Sequence, residues 1–173
     1  RNLEVRLGYL REFNERRQTI LEAIKSQDKL TSELEMKFMS ATTKTEIEDL
    51  YLPFKVKRRT KAAIAREAGI EPLAFELLQN TGVLPELAAA AYINEEKGFT
   101  DAKAVLEGAR FILMEYFSED AALLSKLRSY LWEQGILVAR VDETKKEEGV
   151  KFADYFEFSE TIKTIPSHRA LAI

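Results

Sequence analysis

Cysteine is absent, histidine occurs once, and glycine and proline number only seven and four in 173 residues. Without cysteine there are no disulfides, thiolate metal sites or cysteine nucleophiles, and the composition fits a reducing, cytoplasmic setting. One histidine removes most imidazole metal chemistry. Few turn formers favour helices over a turn-rich β architecture. No apolar run approaches the ~18 residues a membrane span requires, and no signal peptide is visible, so no membrane partner is expected. A slight acidic excess, 29 acidic against 26 basic residues, argues against wholesale polyanion binding. Any nucleic-acid contact must therefore be local.

What is present is a soluble globular composition, 46% hydrophobic and 32% charged, of ordinary single-domain size. Arg1 opens directly into a helical pattern without Met or a cap, and the chain stops as an apolar segment begins, which reads as a piece of a longer protein. Leu3, Leu7, Leu10, Phe13, Ile20, Leu21 and Ile24 recur at three- and four-residue steps, predicting one long amphipathic helix over residues 1–27. Arg17 interrupts that stripe and should bend the helix or snorkel. Ser32 with Glu35 and Thr43 with Glu46 read as capping boxes of two further helices. Glu46, Glu48 and Asp49 read as a charged helix face. Later helices are expected over 61–68, 73–80, 85–93, 101–117 (capped by Thr100) and to residue 134 (capped by Ser118). Residues 136–141 are β-branched and suit a short extended piece, while Phe152, Tyr155, Phe156 and Phe158 read as core packing. The fold class is all-α.

Residues 64–78 fit the spacing of a helix-turn-helix. Gly69 supplies the turn and Ala65 the close approach, with Ile64, Ala68, Ile70, Phe75 and Leu78 as core positions. On this reading Phe75 and Leu78 are buried. The second helix would present Glu71, Leu73, Glu76 and Leu77, which repel phosphate and offer no base-edge donor, so it should pack against a neighbour and not read DNA.

The basic stretch is the strongest local signal. Lys55, Lys57, Arg58, Arg59, Lys61 and Arg66 precede the first acid of the run, Glu67. Extended alternation after Pro53 would point Lys55, Lys57 and Arg59 one way, as a row of donors for phosphates, with Thr60 donating too or capping the next helix. The alternative is a solvated loop whose charges pair with nearby acids. These six cations are the candidate nucleic-acid-binding residues. His168 has no evident partner for metal or catalysis. With no phosphate loop and no nucleophile–base pattern, neither enzymatic activity nor a cofactor is expected.

Two blocks also carry a resemblance. EDLYLPFKVKRRTKAAIAREAGIEPLA (48–74) and KFADYFEFSETIKTIPSHRALA (151–172) resemble the Tex family of bacterial transcription accessory proteins. The region between them, including Leu106–Arg110 and Leu131–Trp132, follows the same family. The resemblance implies the helical N-terminal portion of a multi-domain nucleic-acid-binding protein, related to a eukaryotic transcription elongation factor. It also implies RNase H-like, helix-hairpin-helix and OB-fold RNA-binding domains that lie outside this sequence. Within one such domain the chain divides into 1–53 (the long helix and two short ones), 54–94 (basic loop and helix-turn-helix-like unit) and 95–173 (helices and the aromatic segment). The implied partners are RNA or DNA, bound without sequence preference, the transcription machinery and the missing domains. A purely structural scaffold for those domains is the competing reading.

Overall fold

The structure is a computed structural model and describes residues 2–173; the expected helix start at Arg1 lies outside the described residues. The described chain is mostly helical, with one two-stranded sheet, and clusters into two compact units, residues 1–121 and 122–173.

In the first unit, α1 (Asn2–Lys25), α2 (Ser32–Ser40) and α3 (Lys44–Tyr51) surround a core of Phe13, Ile20, Leu21, Ile24, Phe38 and Ile47. The apolar stripe of α1 is buried only from Phe13 onward. Leu3 is 86% exposed, and Leu7 and Leu10 are exposed too, because the α1 residues in this core begin at Phe13, and it is there that Leu30, Leu34, Leu50, Tyr51 and Phe54 pack. Arg17 snorkels: its guanidinium lies 5.1 Å from the Phe13 ring centroid, and α1 continues unbroken. The expected box at Thr43 and Glu46 forms. At α2 the cap is Thr31, not Ser32, and its hydroxyl accepts from the Leu34 N–H. Asp49 is buried and so leaves the charged face expected for it.

The second core of this unit gathers α4 (Lys61–Glu67), α5 (Glu71–Gln79), α6 (Pro85–Ala90) and α7 (Ala102–Ser118). Thr60 caps α4 through a bond from the Ala63 N–H. Gly69 (φ +85°) ends α4: its N–H reaches the Arg66 carbonyl, and the Ile70 N–H reaches back to that of Ala65. That paired closure is a Schellman motif, and glycine takes its left-handed position without a Cβ penalty. On the far side of the turn, Ile70, Leu73, Ala74 and Leu77 form the inward stripe, the i, i+3, i+4, i+7 set of a helix face. Phe75 is only half-buried and Leu78 is exposed, contrary to the sequence expectation. The helix is rotated by one residue, about 100°, from the frame a helix-turn-helix template imposes. Its outward side carries Pro72, Glu76 and Gln79 and no cation. Small residues let α4 and α7 approach: Ala62 and Ala65 face Gly108 and Ala109, and a Cβ on Gly108 would lie 3.2 Å from that of Ala65. Asp101, one residue after the expected Thr100, caps α7. Ser118 is the last residue of α7 and does not cap the next helix.

The second unit holds most of α8 (Ala121–Gln134), β1 (Ile136–Arg140), β2 (Glu157–Thr161) and α9 (Ser167–Ala170). The strands pair antiparallel, from Ile136 opposite Thr161 to Arg140 opposite Glu157, and β1 occupies the stretch expected to be extended. Phe158 is buried with the Tyr155 ring 5.5 Å away, whereas Phe152 stays exposed.

Candidate nucleic-acid interface

The basic stretch enters from a 3-10 turn, Leu52–Phe54, runs without helix or strand through residues 56–60, and continues into α4. Pro53 suits the turn because its φ is preset and its missing N–H is not needed there. The Gln27 side chain donates to the Phe54 carbonyl at 3.0 Å, tying the loop entrance to the end of α1.

The cations do not form one row. Lys55 pairs with Glu48 at 3.0 Å, beside Arg16, which reaches the same carboxylate at 2.5 Å. The Arg16 hydrogen bond is the main reason the Glu48 carboxyl sits below its ordinary pKa; burial opposes it and Lys55 adds to it. Lys57 turns to α7, where it bonds Glu119 and lies 3.6 Å from Glu115. Arg66 reaches Glu115 from the other side at 2.5 Å and holds Glu71 at 2.9 Å. Thr60 donates its hydroxyl to Glu115 at 3.1 Å while its oxygen caps α4. Glu115 is therefore a hub joining loop, α4 and α7. Burial pushes its carboxyl pKa up, but the Arg66 hydrogen bond, the Lys57 charge and the Thr60 hydroxyl together hold it below the ordinary carboxylate value.

Three cations remain open to solvent. Arg58 is exposed and makes no hydrogen bond or ion pair among the described residues. Arg59 meets Glu67 at 2.6 Å, but both side chains are more than half exposed, and an exposed pair of this kind contributes only about 0–1 kcal/mol. Lys61 has no acid partner among the described residues; its ammonium lies 4.7 Å from the centroid of the Phe111 ring. Sequence alternation could not foresee this division, because the acids that capture Lys55 and Lys57 lie on α3 and α7, and only the fold brings them to the loop. The sole sequence signal was Glu48, seven residues before Lys55.

Elsewhere the described residues hold no group of three or more histidines and acids placed to share a metal ion, and no helix long and apolar enough to cross a membrane. His168 lies in α9.

A mostly helical chain with a partly neutralised basic loop defines an architecture, and comparison supplies its lineage. The family model described as "Tex central region-like" matches residues 80–173, more than half of the chain. Over all 173 residues the chain is 57% identical to Protein YhgF of Escherichia coli and spans 22% of that protein. It is 50% identical to "Transcriptional accessory protein Tex" of Neisseria gonorrhoeae, again over its whole length and 23% of the relative. At 29% identity it also matches the human "S1 RNA-binding domain-containing protein 1", spanning 18% of it. The chain belongs to the Tex family of transcription accessory proteins, and it spans about a fifth of the length of the relatives it matches.

Proposed function

We propose that this chain is a helical part of a Tex-like transcription accessory protein that adds weak, sequence-independent contacts to nucleic-acid backbones, without catalytic activity of its own. The observation that carries the reading is the outward side of the basic loop, where Arg58 has no acid partner among the described residues and Arg59 is 67% exposed. Lys61 begins the next helix beside them, equally without an acid. Guanidinium and ammonium groups suit phosphate oxygens, and Arg58 and Arg59 lie on a stretch without helix or strand, not on an element that could enter a groove and read bases. Lys55, Lys57 and Arg66 hold the loop in place and are not free contacts. The names of the relatives, accessory to transcription in one case and RNA-binding in another, agree in direction.

The test is a salt titration of binding to single-stranded RNA and duplex DNA. Three phosphate contacts give log–log slopes of about −2 on single strands and about −3 on duplex. Replacing Arg58 and Arg59 by alanine should flatten these by about 1.4 and 1.8. A double variant that binds as the parent does across salt makes the loop solvated charge only. The second reading, a scaffold that positions the other domains, draws on the pairing of Lys55, Lys57 and Arg66 with Glu48, Glu115 and Glu119. It predicts no salt-dependent binding by this chain alone.

A further inference from the structure

Beside Lys61 lies a recess of about 240 Å³ between the start of α4, the middle of α7 and the turn that precedes α7. Its lining includes the rings of Phe99 and Phe111, the apolar Ile64 and Ala104, and the charged Glu107 and Lys61. Drug-sized ligands and cofactors occupy pockets of roughly 300 to 1,000 Å³, so this one has room for a single planar ring system and little more.

Its parts are held before any ligand arrives. Asn94 and Phe99 exchange two backbone hydrogen bonds, 2.8 and 2.9 Å, across a tight turn whose Gly98 has φ +84°. That turn lays the Phe99 ring on α7 at Gly108, where a Cβ would come within 2.8 Å of Phe99 Cε1. Glycine at 108 is thus what lets the ring seat. On the other wall, Phe111 carries two cations, the Lys61 ammonium at 4.7 Å and the Arg110 guanidinium at 5.3 Å from its centroid. Arg110 also pairs with Glu107 at 3.1 Å, so this acid is neutralised and keeps an oxygen able to accept from an amine.

We infer that this recess takes one unstacked nucleobase, which makes the chain a single-strand binder whose backbone contact at Lys61 lies beside a base held against Phe111 and Phe99. The inference rests on the backbone-contact reading above and extends it from phosphates to a base. Charge complementarity selects the occupant. An aromatic side chain of a protein partner would also fit the walls, but only a nucleotide brings with its ring an anion for Lys61, the acid-free cation that lines the recess. A base inside a duplex is already stacked and paired and cannot enter without being extruded. Aromatic platforms beside a basic track accept every base, because each has a π-face.

The experiment uses the whole chain and three fluorescent probes: a single-stranded adenosine oligonucleotide of about eight residues, a sugar–phosphate strand of that length lacking bases, and a duplex of that length. The adenosine strand should bind about tenfold more tightly than the abasic strand, and also more tightly than the duplex. In Phe111→Leu, which keeps apolar volume but has no π-face, the preference should fall below about twofold with an unchanged salt slope, since no charge is altered. Equal binding of the adenosine and abasic strands by the parent overturns the inference and leaves the backbone reading intact; that comparison needs no variant to fold. A Phe111→Leu protein that keeps the full preference also overturns it. If none of the probes binds with a salt dependence, it is the backbone reading that fails.

Discussion

Glu115→Ala removes the carboxylate on which Arg66, Lys57 and Thr60 converge. The side chain is only 15% exposed, so water replaces it poorly. Arg66 retains Glu71, Lys57 retains Glu119, and the Thr60 oxygen still caps α4, so each loses one partner and none is stranded. Each of the two hydrogen bonds to this charged carboxylate, from Arg66 and from Thr60, contributes at most about 1.5 to 3 kcal/mol. With relaxation of the surviving pairs, the expected loss is about 2 to 4 kcal/mol, a large part of a typical stability. Urea unfolding at neutral pH should show it as a lower midpoint with an unchanged slope. The pH dependence has a definite sign. The folded carboxyl lies below its ordinary value of 4.5, so its stabilisation is present above that value and is lost as pH falls through the lower folded value. The gap between parent and Glu115→Gln should therefore narrow on acidification from pH near 7 to below about 4. A Glu115→Ala protein within about 0.5 kcal/mol of the parent, as for an indifferent surface site, or a gap that does not narrow in acid, refutes the hub.

Glu119→Gln loosens Lys57 for phosphate, and the salt slope on single-stranded RNA should steepen by about 0.7; a slope equal to the parent's would show that Glu115 alone retains Lys57. Phe38, fully buried, should cost about 3 to 5 kcal/mol on replacement by alanine. Phe75→Ala should cost clearly less, because that ring is half-buried and rests edge-on against Tyr116; equal shifts in urea midpoint would contradict the observed rotation of α5. Gly69→Ala forces a side chain to φ +85°, which should cost about 1 to 2 kcal/mol and lower the melting temperature, although open space surrounds the position.

Much was legible in the residues themselves. The Thr43–Glu46 box, the Gly69 turn, the extended piece at 136–140 and the helical class all follow from local rules: caps need oxygens, left-handed turns need glycine, and β-branched runs without helical period extend. The family blocks at 48–74 and 151–172 were equally visible, since a resemblance requires no coordinates. Tertiary structure decided what local rules leave free. Leu3, Leu7 and Leu10 share a perfect helical stripe with Phe13, yet only packing by α2 and α3 determines where that stripe becomes core. The face of α5 turned on one residue, which spacing alone could not resolve between Phe75 and Ala74. The basic loop shows the same limit in charge: six cations are apparent in the sequence, but the partners of Lys57 and Arg66 stand about 50 to 60 positions away on α7. Coulomb attraction depends on distance in space, and only folding sets that distance.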